Sequence, residues 1–122
     1  MRTTLGLLLW GLLTSSVWAY EIYIPENKIS EDVLDTVRAA VQRECPKVLN
    51  TLKSLDLEKY SFFRNRIDQG FLEEHFYLVF SMAFNNDNRD SQTLSLKVVK
   101  EVENRSGYLM IYVQDFKSTA CN

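Results

Sequence analysis

A chain of 122 residues with 14 basic and 16 acidic side chains has a net charge of −2 and no basic face for nucleic acid. It has no polybasic run for an anionic membrane surface, and its length suits one domain with a modest core. A single histidine excludes a metal site built on two of them.

Residues 1–19 read as a cleavable secretory signal. Arg2 supplies the positive end, Leu5 to Leu13 the apolar core, and Val17-Trp18-Ala19 the small residues at −3 and −1. The apolar run is shorter than the about 20 residues a membrane-spanning helix needs. Cleavage after Ala19 is expected to leave one extracellular domain, residues 20–122, at a net charge of −3 because only Arg2 is lost. Trp10 and Trp18, the chain's two tryptophans, leave with the signal. Cys45 and Cys121 remain, and an oxidising compartment makes one internal disulfide the default. The alternatives are a free thiol or an intermolecular bridge from Cys121.

Tyr20 to Pro25 alternates like a short strand that Pro25 stops. Ser30 is placed as an N-cap, followed by Glu31 and Asp32 where a helix dipole favours carboxylates. Leu34, Val37, Val41, Cys45, Val48 and Leu52 recur at steps of three and four, the stripe of an amphipathic helix. Pro46 interrupts it, which predicts either a kinked helix or two helical segments in near register.

Beyond Ser54 the period changes to that of strands. Leu57 to Ile67 is rich in strand formers, and Asp68-Gln69-Gly70 reads as a turn. Phe71 to Phe84 alternates, with Phe76, Leu78, Phe80, Met82 and Phe84 on one face and His75, Tyr77 and Val79 on the other. A polar loop from Asn85 to Asp90, a strand from Thr93 to Glu103, the turn Asn104-Arg105-Ser106-Gly107 and a strand from Tyr108 to Phe116 complete the chain. The fold class predicted is α+β, one long helix on a four- to five-stranded antiparallel sheet.

A short strand, one long helix and a four-stranded meander in a secreted chain of this size resemble the cystatin fold, an architecture shared by the cathelicidin pro-domain and chemerin-like proteins. The likeness covers nearly the whole mature chain and rests on element order and length. Inhibitory cystatins block papain-like proteases with an N-terminal glycine, a Q-x-V-x-G hairpin loop and a Pro-Trp hairpin loop. Here Tyr20 to Ser30 has no glycine. The first hairpin reads Arg66-Ile67-Asp68-Gln69-Gly70, and the second has neither proline nor tryptophan. Secreted cystatins also carry two disulfides where this chain offers one. The resemblance thus implies a cystatin-like binding protein without the inhibitory motifs.

No enzyme chemistry is legible. His75 lacks an evident partner for general-base work, and Glu73 and Glu74 are neighbours on a strand that point to opposite faces. No phosphate loop or serine elbow is present, and the Asn85 to Asp90 loop lacks calcium-ligand spacing. No cofactor or metal is expected. Asn104-Arg105-Ser106 is an N-glycosylation acceptor in a surface turn.

The candidate contact residues are Ile67, Asp68, Gln69 and Gly70 in one hairpin tip and Arg105, Ser106 and Gly107 in the other. The N-terminal strand is expected to join them, and His75, Tyr77 and Val79 form a candidate surface patch. The expected function is a secreted, monomeric, non-enzymatic binder of an extracellular protein, a protease or a receptor, either a diverged cysteine-protease inhibitor or a non-inhibitory relative, that neither binds nucleic acid nor spans a membrane. The alternatives are a carrier of a small apolar ligand between helix and sheet, or a receptor-acting signalling or host-defence factor.

Overall fold

The structure, a computed structural model, describes residues 20–25, 29–68, 70–85, 92–103, 105–107 and 109–121. The expected signal segment, Gln69, Asn104 and the loop from Asn86 to Asp90 lie outside the described residues. The elements run β1 (Glu21–Tyr23), α1 (Glu31–Glu44), β2 (Leu52–Asp68), β3 (Phe71–Phe84), β4 (Gln92–Glu103) and β5 (Leu109–Ser118). The strands form one sheet in the order β1-β2-β3-β4-β5.

The α+β class holds, but the sheet is mixed. The three meander pairings are antiparallel, whereas β1 lies parallel to β2, with Glu21 opposite Ser54 and Tyr23 opposite Asp56. The cause is topological. A hairpin reverses the chain, but β1 and β2 are joined by a crossover helix that carries the chain back to its starting end.

The helix stripe packs onto the sheet as its period requires. Val33, Leu34, Val37, Ala40 and Val41 are buried against a core that includes Leu55, Phe76, Leu78, Phe80, Leu94, Leu96 and Val98. The expected continuation to Leu52 is corrected: α1 ends at Glu44, with Cys45 as its C-cap. Pro46 has no N–H to extend the ladder, so turns follow, with Val48 N donating to Cys45 O at 3.2 Å and Leu52 N to Val48 O at 2.8 Å. These turns keep Val48 and Leu52 on the apolar side, so the stripe outlasts the helix.

At the other end Ser30 occupies the N-cap, but its hydroxyl makes no capping bond to the backbone. It donates instead to Asp32 Oδ1, which also accepts the Val33 N–H at 2.8 Å. Asp32 Oδ2 lies 2.7 Å from Lys100 Nζ on β4, tying the start of α1 to the sheet. Burial by itself would raise the Asp32 pKa, but the bonds from Lys100, Ser30 and the Val33 N–H outweigh it and hold the carboxyl below its ordinary value. From β1's side, the buried Tyr20 hydroxyl donates to the Arg38 carbonyl at 3.2 Å.

Cys45 and Cys121 form a disulfide, with their Cα atoms 4.8 Å apart in space and a sequence separation of 76. It joins the end of α1 to the chain just beyond β5. There Asp115 adopts φ 53° at an irregularity in the β4–β5 register, a conformation aspartate tolerates better than most residues.

Two stability measurements follow. Replacing both cysteines by alanine should lower unfolding free energy by about 4 kcal/mol, read from the urea midpoint, as expected for a loop of this size. Lys100→Met should lower it by about 0.5 kcal/mol at pH 7, a small value because the Asp32 carboxylate is partly solvated. The Asp32 pKa is depressed on folding, so its stabilisation is present above the unfolded value near 3.9 and lost as pH falls through the folded value. The gap between wild type and Lys100→Met should therefore close in strong acid.

Candidate interaction surface

Fourteen residues of helix span about 21 Å, whereas the 17 residues of β2 span roughly 56 Å. The mismatch leaves the tip half of the β2–β3 hairpin beyond the helix. There the positions from Ser61 to Arg66 are all exposed, and Phe62 and Phe63 are 42% and 44% accessible on opposite faces. Phe62 leans on Phe76 at a ring separation of 5.1 Å.

The face of the sheet away from the helix carries the most structured group. Register places Phe63, His75, Val99 and Tyr112 side by side across β2 to β5. The next row holds Ser61, Tyr77, Lys97 and Gln114. Phe63 stacks on His75 with centroids 4.4 Å apart, and Tyr77 lies 5.9 Å from Phe63. Lys97 Nζ stands 5.2 Å from the Tyr77 ring centroid, within cation–π range. Val99, with no accessible area, is covered although it faces away from the helix.

The sequence patch therefore divides. Tyr77 is 40% exposed and available to a partner, Val79 is half-buried, and the His75 side chain is only 12% exposed. His75 Nε2 lies 3.0 Å from Glu73 Oε1, while Nδ1 is buried without a hydrogen-bond partner among the described residues. Glu74 points to the other face and meets Arg64 at 2.9 Å. Glu73 sits opposite Glu101, a pairing of like charges, and His75 and Tyr112 flank it. Burial, the hydrogen bond to Glu101 and the charges of Glu101 and Glu73 together raise the Tyr112 pKa. Nothing here resembles a nucleophile beside its base; the ring of His75 is part of a cover.

Phe63 was missed as a site residue. Its signal was present, because adjacent aromatics on a strand must face opposite ways, so one of Phe62 and Phe63 had to leave the helix side.

The hairpin tips lie together at one end of the sheet, since Phe71 is opposite Glu103 and Val102 is opposite Leu109. Ile67 and Asp68 end β2, and Gly70 takes φ 80° in the turn beyond it. In the second tip Arg105, Ser106 and Gly107 are exposed, and Gly107, at φ 69°, donates its N–H to Glu103 O at 2.9 Å. The N-terminal strand does not join them. β1 reaches only as far as Asp56 along β2, about 40 Å of strand short of Asp68. The expected contact surface of tips plus N-terminal strand is thus not assembled by β1, because β1 pairs at the opposite end of β2 from the tips.

Among the described residues, no group of His, Cys, Asp and Glu could hold a metal ion, and no helix is long and apolar enough to cross a membrane. A groove of about 260 Å³ of mixed lining runs beside Ile24, Pro25, Ile29, Leu57, Glu58, Lys59 and Tyr60. It lies at the sheet edge and not between helix and sheet, and it is smaller than the roughly 300–1,000 Å³ of small-molecule sites.

Covering and binding roles can be separated by stability. His75→Ala should uncover Val99 and cost about 2 kcal/mol in urea unfolding. His75→Phe, which keeps the stack and removes the unpartnered Nδ1, should stay within about 1 kcal/mol of wild type. Tyr77→Ala, at an exposed position, should cost no more than about 1 kcal/mol. Comparison with protein-family models, with curated proteins and with solved structures yields no significant match.

Proposed function

We propose that this chain is a secreted, non-enzymatic binding protein of cystatin-like architecture that acts on an extracellular protein through the helix-free face of its sheet. The observation that carries the reading is the exposed aromatic pair Phe63 and Tyr77, held on a stacked histidine and flanked by Lys97. Rigid aromatic side chains on an ordered strand are the residues that dominate protein interfaces. Strand positions also fix their spacing before a partner arrives, which reduces the ordering cost of binding.

Secretion rests on the signal pattern of residues 1–19, and the Cys45–Cys121 bridge is compatible with an oxidising compartment. The acceptor Asn104-Arg105-Ser106 suits the same route, and a glycan there would occupy the second hairpin tip while leaving the aromatic face open. A papain-blocking wedge is disfavoured on two counts. The tips lack its motifs, and β1 stops far from them.

The test immobilises the protein from a secretory host and recovers partners from extracellular fluid. A specific protein retained by wild type and by Gln42→Ala, on the exposed side of α1, but lost with Tyr77→Ala and Phe63→Ala is the expected result. Retention unaffected by either aromatic change would remove this face as the binding surface. In a parallel assay, micromolar protein should leave papain-like proteases active. Nanomolar inhibition abolished by changes at Ile67 to Gly70 would establish an inhibitor instead.

A further inference from the structure

Three lysines on the helix-free face lack an acidic partner among the described residues, although the chain as a whole carries more acid than base. Register sets Lys59, Val79, Ser95 and Lys117 in one row across β2 to β5, and Lys97 stands in the next row beside Tyr77. Two irregularities deliver the outer pair. On β5, strict alternation from Tyr112 and Gln114 would turn Lys117 toward the helix. The extra residue at Asp115 sends Phe116 to the core side instead and Lys117 to the open face. On β2 the register slips between Leu57 and Lys59, so Leu57 and Tyr60 both pack on the helix side while Lys59 points away. Tyr77 and Val79 border two open depressions. Lys59 and Ser61 flank one, of about 510 Å³, and Lys97, Asp115 and Lys117 flank the other, of about 180 Å³.

The carboxylates of this region are engaged elsewhere or form no ion pair with the lysines. Glu73 and Glu101, toward the hairpin tips, are taken by His75 and Tyr112. Glu44 shares a depression at the sheet edge with Lys117 but pairs with Arg43. Asp56, Glu58 and Asp115 are the remaining acids nearby, and among the described residues none is bridged to Lys59, Lys97 or Lys117. The face is therefore graded along its strands: satisfied carboxylates at the tip end, aromatic rings in the middle, uncompensated ammonium groups beyond them. Lys59 and Lys117 are three strand spacings apart, roughly 14 Å, and flexible stems let both reach a group held between them.

We propose that this end of the face receives a carboxylate of an extracellular protein. An Asp or Glu side chain of the partner sits between Lys59, Lys97 and Lys117, while an apolar neighbour lies on Tyr77 and Phe63. The inference rests on the binding reading above and names the chemistry of its partner. A compact carboxylate suits the patch better than a long polyanion does. A polyanion would run onto Asp56 at one end and onto Glu73 and Glu101 at the other, and like charges brought together across an interface are costly.

The probe is a library of random peptides displayed on phage and selected on the immobilised protein. Enriched sequences should set Asp or Glu beside an aromatic or aliphatic residue. The affinity of a synthetic enriched peptide, read by fluorescence anisotropy, should fall about tenfold with Lys59→Glu and with Lys117→Glu. It should be unchanged by Lys47→Glu, which alters net charge equally at an exposed turn beyond α1. Enriched peptides without acidic residues that still need Tyr77 and Phe63 would overturn this inference and leave the aromatic face as the binding surface. Peptides indifferent to Tyr77→Ala and Phe63→Ala would remove that surface as well. Failure to enrich any sequence overturns the inference, and so does tight binding of heparin fragments lost with the same lysine reversals, which would assign a polysaccharide. The acidic bias is read on wild type, so it does not depend on any variant folding.

Discussion

A 14-residue helix cannot cover a 17-residue strand, and most of what is distinctive in this molecule follows from that inequality. The helix supplies the apolar face for one half of the sheet, where Phe80, Leu94 and Val98 have no solvent contact. The other half must manage its own exposure. It does so with paired aromatics, Phe62 on Phe76 and Phe63 on His75, and with cross-strand ions such as Arg64 and Glu74. Such ions contribute little at a solvated surface, so the aromatic contacts are the larger stabilising term there. The disulfide fixes where the mismatch falls. With Cys45 tied to Cys121, the C-terminal end of α1 is held beside the end of β5, and all surplus strand length is displaced toward the hairpin tips.

The sequence was most legible where structure is local and periodic. Leu34, Val37 and Val41 announce a helix face, and the alternation from Phe76 to Phe84 gives β3 its bounds and its inward side. The cysteine pairing was legible from an even count of two. What failed was non-local or depended on competition between bonds. The direction of β1 relative to β2 is decided by a crossover of nearly thirty positions, and nothing within Glu21–Tyr23 encodes it. The end of α1 was obscured because Val48 and Leu52 stay buried through turns that imitate the helical step. Ser30 had a competing acceptor two residues away in Asp32, which took the hydroxyl from its capping role. The aromatic surface was half legible: strand parity found Tyr77, but Phe63 needed the β2–β3 register to be placed beside His75.

His75 illustrates why a lone histidine carries little information by itself. Its ring is flat, lies parallel to Phe63 at 7°, and shields Val99 from the side of the sheet that has no helix. A phenylalanine could do the same. What histidine adds is the contact with Glu73, which sits opposite Glu101 and would otherwise face a like charge across the strands. The imidazole and the Tyr112 hydroxyl each provide one of these carboxylates with a partner, so the acidic pair is tolerated on a face that otherwise gathers aromatic rings.

The aromatic face and the free edge meet at β2 and make different demands on a partner. A sheet face offers side chains at fixed spacing and leaves its backbone bonds satisfied within the sheet. An edge offers unsatisfied backbone groups, and these are costly to cover with anything except another strand. A globular partner is therefore suited to Tyr77 and Lys97 on the face, whereas a free stretch of edge is suited only to an extended segment.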